Sequence, residues 1–458
     1  MNNNKNKSGF GQAFYVANFM EIFERLAWYG FFTLSSLYMT SPVEQGGLGF
    51  SDVQRGALQG IIPFFLYLLP VLTGAVADRY GYRRMFLLSF AIMAPSYYLL
   101  GQVDSFGGFF VSFMLVALGA ACFKPVVVAT VGHVTNDQNR GLGFGIFYTM
   151  INVGGFIGPL VAGYVRAISW DAVFVMSALW ICVNFVPAFF LYRDPQSVAE
   201  NETKFSEVIR QAQQVLGNGR FALLVFPCIF LLMAAGASWL SYQYAFLTIG
   251  AWTAINLVWD RLSFRQSRIW YKQPIRVSNL PFLLYLLLIT GFWAVYNQLF
   301  YTMPLFIRDF VDTRDLVSLL GWFGSGAVEF FAHVDVDVLS RKLLSLSEQI
   351  QSQDVSLIRA ELVHYKVLVP VDVIETALLL IQQNPSLAYA SSVADLWAQA
   401  YRQVNPEYII NLNFAAIVMC QILVSYFCQK FKTISVLIVG LMVFALGLAI
   451  SILVDSLM

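Results

Sequence analysis

The sequence predicts an all-α polytopic membrane protein, and three observations predict it. The chain of 458 residues is 58% hydrophobic and only 12% charged, with a mean hydropathy of +0.65. That is more apolar material than a soluble globular chain has use for. The apolar residues fall into runs of spanning length, and the basic residues collect in alternate connections between them. A net charge of +1 with no basic patch outside the loops excludes a nucleic-acid role. The five cysteines lie in apolar stretches without metal or disulfide spacing, so they read as small core residues and no metal or cofactor is expected. Residues 1–10 are polar and rich in Asn and Lys, with no short apolar core and cleavage site after them. No removable signal peptide is expected.

The runs, in order, are 14–38, 57–76, 85–100, 107–131, 143–164 and 170–192, then two shorter ones at 221–239 and 244–259, then 282–303, 408–427 and 434–454. The domains expected are a short cytoplasmic N-terminus (1–13), a six-helix N-terminal bundle (14–192), a linker with a two-helix hairpin (193–280) and a partial C-terminal bundle (281–458). Lys5 and Lys7, Arg79, Arg83 and Arg84, Arg140, and Arg193, Lys204, Arg210 and Arg220 occupy one set of connections. Arg261, Arg265, Arg268, Lys272 and Arg276 continue it, as do Lys430 and Lys432, while the opposite loops hold little beyond Arg55 and Arg166. By the positive-inside rule the N-terminus is cytoplasmic, provided 221–239 and 244–259 enter and leave as a hairpin.

The first run carries Glu21, Glu24 and Arg25 where a membrane helix should pass. Each costs about 2.5–3.5 kcal/mol near the centre of an isolated span, so something must offset them. At 3.6 residues per turn, positions 21, 24, 25, 28 and 29 share one face, and Glu21 and Arg25 form an i,i+4 pair. That face is expected to line a substrate or proton route rather than merely staple two helices. Lys124, deep in the fourth run, is expected to need Glu21 or Glu24 as its partner. Arg25, Lys124 and two glutamates in one cavity suit a zwitterion, the cations holding a carboxylate and the anions a proton or an ammonium.

Between the ninth and tenth runs, 282–303 and 408–427, the apolar density drops, from about 311 to 404. This insertion reads as all-α and non-cytoplasmic, with amphipathic helices at 340–362, 371–383 and 391–403 broken by Pro370 and Pro385. His333 and His364 are isolated and read as surface residues, and any partner of the insertion is unknown. No nucleophile–base pair or metal spacing occurs along the chain, so an enzyme is not expected.

Five stretches then carry a resemblance. Gly74, Asp78, Arg79, Gly81, Arg83 and Arg84, between the second and third runs, resemble the gating loop of the major facilitator superfamily. Glu21-x-x-Glu24-Arg25 with Trp28-Tyr29-Gly30, then Tyr67, then Gly119-x-x-x-x-Lys124-Pro125, then Phe147-Tyr148-x-x-Ile151-Asn152-x-Gly154 resemble, in order and spacing, the proton-dependent oligopeptide transporter family. The hairpin at 221–259 is similar to that of bacterial members. The resemblance implies the facilitator fold in a bacterial inner membrane and inward symport of di- and tripeptides with protons by alternating access. It implies peptide contacts from Arg25, Tyr29, Tyr67, Lys124 and Asn152, and proton coupling through Glu21, Glu24 and Arg25. Gly154 and Gly158 read more simply as packing glycines.

The chain departs from the family in three places. Asn297 stands where the family has a titratable acid in the seventh span, which leaves it a substrate-facing amide and loads proton coupling onto Glu21 and Glu24. The 311–404 insertion replaces a short loop, and, with the hairpin set aside, the runs stop at the ninth of twelve expected spans. Two other readings follow: a family member with another small amphiphilic substrate or weakened coupling, and a truncated non-transporting sensor or interaction protein.

Overall fold

The computed structural model describes residues 10–136, 138–195, 217–262, 269–277, 280–428 and 430–455. Lys5, Lys7, Lys204, Arg210, Arg265 and Arg268, which entered the orientation argument, lie outside the described residues. Every apolar run is helical in its described part. The first six become α1 (Gln12–Thr40), α2 (Asp52–Tyr80), α3 (Tyr82–Leu100), α4 (Phe106–Val134), α5 (Arg140–Arg166) and α6 (Trp170–Val183, extended by a π turn over Pro187–Leu191). The hairpin is α7 (Gly219–Gly236) and α8 (Tyr242–Arg261).

Local chemistry sets the helix starts. Ser51 and Gln54 close a reciprocal capping box on α2, and Ser105, Ser169, Asn218 and Ser241 accept backbone N–H bonds at the heads of α4, α6, α7 and α8. These caps satisfy donors that the helix geometry leaves orphaned. Six helices are long and apolar enough to cross a membrane among the described residues. They include α2, α4, α5 and α7 but not α1, whose 29 residues have the length and whose charges interrupt the apolarity.

α1 is nevertheless the most enclosed of the spans, packed along α5 and α6. Its approach to α5 is backbone to backbone. A Cβ on Gly158 would lie 2.9 Å from the Leu26 carbonyl oxygen and 3.1 Å from the Gly30 nitrogen, and one on Gly154 would lie 2.5 Å from the Cβ of Arg25. Gly154 and Gly158 thus pack as the sequence reading expects, letting two helices close with no side chain between them.

The run at 282–303 is not one helix. It forms α9 (Leu280–Tyr296), breaks at Asn297, and resumes as α10 (Gln298–Tyr301) and α11 (Met303–Phe310). The insertion then folds as α12 (Arg314–Gly321), α13 (Ser325–Phe331), α14 (Val336–Gln349), α15 (Val355–Leu362), α16 (Val371–Gln383) and α17 (Leu387–Ala400). The single helix expected over 340–362 is two, because the Asp354 side chain accepts the Ser356 N–H and starts a new one. The helix expected at 391–403 begins earlier, behind the Ser386 cap. The insertion is all-α as expected among the described residues, with one isolated antiparallel bridge between Val367 and Arg402, flanked by Leu368 N–H to Tyr401 O and Gln403 N–H to Lys366 O. Its core gathers Leu343, Ile358, Leu362, Ile374, Leu378 and Trp397, each removed from water and each worth about 1.5–3 kcal/mol.

By contacts the chain separates into two compact units, Met1–Ile410 and Asn411–Met458. The division falls inside α18 (Pro406–Cys428), and α19 (Thr433–Asp455) lies wholly in the second unit. The insertion therefore groups with the first six helices rather than with the spans that follow it.

Candidate functional site

The charges of α1 are buried: Glu21, Glu24 and Arg25 are 2%, 0% and 5% exposed. Arg25 Nε lies 3.2 Å from Glu21 Oε1 and also donates to Glu24 Oε2. One guanidinium therefore serves two carboxylates on adjacent turns, the arrangement the spacing predicts. Glu21 Oε2 and Glu24 Oε1 are each buried without a hydrogen-bond partner. A buried carboxylate oxygen left unpaired costs about 1–3 kcal/mol or more, so these two atoms are poised for a proton or a donor from outside the chain.

α5 holds this cluster in place. The contact of Gly154 with the Cβ of Arg25 and the Ile22 carbonyl sets how deeply the arginine sits. On the other side, Lys124 comes from α4, whose next residue Pro125 meets Gly74 of α2 at 3.4 Å from an added Cβ, while Thr73 Oγ1 donates to Ala121 O at 2.6 Å. This close α2–α4 seam brings Tyr67 beside the lysine.

Lys124 corrects one expectation. No carboxylate lies within ion-pair distance of it among the described residues. Its Nζ sits 5.5 Å from the Trp28 ring centroid and 5.2 Å from that of Tyr67. Aromatic faces hold the ammonium, an interaction worth about 2 kcal/mol when desolvated, and Glu21 and Glu24 act on it only at longer range.

Tyr29 is half-buried, with Arg25 5.8 Å from its ring centroid and the Phe300 ring at 6.3 Å. Tyr67 is 62% exposed. Both lie within electrostatic range of Tyr296, a residue the sequence reading passed over, whose only signal was its aromatic position one turn beyond Phe292-Trp293. Asn152 is not drawn into the cluster by a bond across helices, since its Nδ2 donates to Tyr148 O of its own helix at 2.7 Å. Asn297 is half-buried at the α9–α10 break, where its backbone N–H still reaches Trp293 O. Just beyond, Ser36 Oγ bonds to Phe300 O and Tyr301 O, Gln59 Nε2 donates to Ser36 Oγ at 2.7 Å, and Arg55 Nη1 reaches Tyr301 O and Gln59 Oε1. This polar network joining α1, α2 and α10 was missed. Its signal was the run of polar side chains at the same ends of two apolar spans.

The residues that the sequence resemblance assigns to a gating loop surround a single-residue turn. α2 ends at Tyr80, α3 begins at Tyr82, and Gly81 between them has φ +93°, which favours glycine. Asp78 accepts from Tyr82 OH at 2.8 Å, rather than pairing with the arginines. Arg79 stacks over Tyr80 and Arg84 is exposed. Arg83 turns to the end of α6: its N–H donates to Asp194 Oδ1 at 2.8 Å and its guanidinium to Phe189 O. Asp194 is thus the acid that this turn uses, and the Arg193-Asp194-Pro195 sequence after the sixth run was its only signal.

A second group of charges lies at the opposite ends of the helices, where the insertion meets α5. Arg166 Nη1 donates to Glu407 Oε1 and Oε2 at 3.0 and 3.1 Å, and Glu407 is fully buried. Phe330 stacks on Tyr164 and on Tyr408, and Arg308 Nη1 donates to Thr40 Oγ1. His333 and His364 are not plain surface residues: both are half-buried and line a cavity here.

Comparison with known proteins agrees with this picture. The pattern described as Major Facilitator Superfamily matches residues 17–343. The chain is similar to a peptide transporter, YePEPT, of Yersinia enterocolitica, at 32% identity over 33% of this chain and 30% of the relative. It is similar to a di-/tripeptide transporter of Lactococcus lactis subsp. lactis, at 30% identity over 35% and 33%, and to an uncharacterized transporter, YclF, of Bacillus subtilis, at 29% over 34% and 32%. Each match spans about a third of the relative's own length. A solved structure of a peptide transporter POT in complex with sulfate is similar over 90% of this chain and 95% of that one, at 18% identity and a TM-score of 0.47, too loose a likeness to argue from.

Proposed function

The chain belongs to the major facilitator superfamily, and we propose that within it the chain is a proton-dependent oligopeptide transporter, serving proton-coupled import of di- and tripeptides by alternating access, a reading its similarity to peptide transporters supports. The observation that carries this reading is the α1 cluster, with two buried carboxylates sharing Arg25 and each keeping one oxygen unpaired. Arg25 and Lys124 supply cations for a peptide carboxylate, and Tyr29, Tyr67, Asn152 and Asn297 supply polar tips for amides. Glu21 and Glu24 load and release the proton as water access alternates. The Gly81 turn, with Asp78, Arg79, Arg83 and Arg84, lies on the cytoplasmic side with the N-terminus, and the insertion lies outside the bacterial inner membrane.

The test is accumulation of labelled dipeptide in proteoliposomes under an inward pH gradient. Glu24→Gln is expected to abolish accumulation yet leave counterflow exchange largely intact. Loss of both would make Glu24 a structural residue and remove the proton role. Asn297 favours a second reading, weakened coupling, since an amide at the α9–α10 break cannot titrate. Asn297→Asp would then steepen the pH dependence of uptake, whereas an unchanged profile would dismiss that reading.

A further inference from the structure

A cavity of about 170 Å³ lies where the α1–α2 and α5–α6 connections meet the insertion. Its walls include Gln45, Arg166, Ser169, Trp170, Asp335 and Lys366. The charges there are unevenly committed. Asp335 is occupied as the N-cap of α14, accepting the Val338 N–H. Glu407 takes only Nη1 of Arg166, so Nε and Nη2 of that guanidinium make no bond among the described residues. The guanidinium carbon sits 4.6 Å from the Trp170 ring centroid, which fixes the plane of the fork.

Lys366 is held by backbone geometry. It has φ +62°, a left-handed conformation uncommon outside glycine, and its carbonyl is locked by the Gln403 N–H beside the Val367–Arg402 bridge. The constraint keeps a lysine in the cavity wall with no carboxylate in contact among the described residues. Burial and the Arg166 guanidinium pull its ammonium down to about 7, against the opposing charges of Glu407, Asp335 and Glu329, none of which is in contact with it. An arginine fork and a lone ammonium, together with the capped first turn of α6, form a cradle for planar negative charge.

We propose that this cavity binds a small carboxylate, held between Lys366 and the free edge of the Arg166 guanidinium. The volume admits the carboxylate end of a short peptide or a small free acid, and not a folded partner. The site is separate from the α1 cluster and needs no proton coupling.

Amide hydrogen exchange on the purified full chain at pH 6 tests it, read in segments 166–172 and 363–368, with acetate, dialanine and dialaninamide as probes. Acetate or dialanine is expected to slow exchange there by about tenfold, and dialaninamide to leave it unchanged. Protection by dialanine alone identifies a peptide C-terminus as the ligand, and protection by acetate identifies a free acid as sufficient. Lys366→Met is expected to lose the protection and Lys366→Arg to keep it, with exchange in the insertion core unchanged as the folding control. Equal protection by dialaninamide, full protection in Lys366→Met, or no protection by either acid overturns the proposal. Failure of peptide transport would leave these outcomes untouched, so the two readings fail separately.

Discussion

The charge cluster of α1 and the charge cluster at the C-terminal end of α5 both rest on an arginine held by buried carboxylate, yet they are assembled in opposite ways. In the first, the partners are four residues apart or adjacent on one helix. In the second, Arg166 and Glu407 are 241 positions apart and meet only because the insertion returns the chain to α5. The first is under-satisfied, with an orphan oxygen on each glutamate. The second is satisfied on the carboxylate side and leaves its spare donors on the cation. A cluster proposed to exchange protons would gain from unpaired carboxylate, whereas a joint between chain segments benefits from a carboxylate fully engaged.

The comparison breaks first at Arg25. Arg25→Met strands two carboxylates in the bundle and is expected to cost about 3–5 kcal/mol, seen as a collapse of detergent melting temperature. Adding Glu21→Gln and Glu24→Gln should restore most of it. A single variant as stable as the parent would mean the cluster is not a buried charge set. At the joint the cost should be smaller. Glu407→Gln keeps the shape and one acceptor, so about 2 kcal/mol is expected, with accelerated proteolysis of the insertion as the readout. Unchanged proteolysis would show that Phe330 and its aromatic neighbours hold the joint alone.

Helix packing beneath the first cluster gives a third handle. Gly154→Ala places a methyl 2.5 Å from the Arg25 Cβ and should destabilise by about 1–3 kcal/mol, whereas Gly145→Ala meets nothing within 4 Å and should not. Equal melting temperatures for the two would dismiss the idea that α5 positions the arginine.

The smallest effect concerns His364, beside the joint. Burial and Arg308 hold its imidazole down at about 4, with Asp309 opposing. Since the folded value lies below the unfolded one, the unfolded chain takes up the proton first. The stability is therefore present above about pH 6.5 and is lost as pH falls toward 4, by about 1 kcal/mol between pH 6.5 and 5.5. Across that range the parent is expected to lose about 1 kcal/mol relative to His364→Gln as pH falls, read from melts of both. Parallel curves would sink the assignment.

What was legible in the chain follows the same division. Glu21, Glu24 and Arg25 stood out because charge in an apolar run is costly wherever the rest of the molecule lies, and their helical spacing already implied the pairing. Gly154 and Gly158 were legible as packing residues for the same local reason. Lys124 was legible as buried but not as to its partner, because Trp28 and Tyr67 look like ordinary lipid or core aromatics until two helices set them around it. Asp194 and Gln59 gave only faint signals and Glu407 none, being polar residues toward helix ends, where polarity is unremarkable. The break before α15 was readable in Asp354 as a cap, yet the amphipathic pattern running across 340–362 concealed it.

By itself the sequence determined the helical spans, the buried charged face of α1, the single-glycine turn at Gly81 and the major facilitator superfamily. These rest on hydropathy, 3.6-residue periodicity and backbone freedom, all local properties. Only the tertiary structure decided that aromatic rings rather than a glutamate hold Lys124, that Asp194 receives the α2–α3 turn, and that Arg166, Glu407 and Lys366 share one corner. Those depend on which distant segments approach to within a few ångströms, and short-range contact between far-apart residues leaves no trace in a linear pattern.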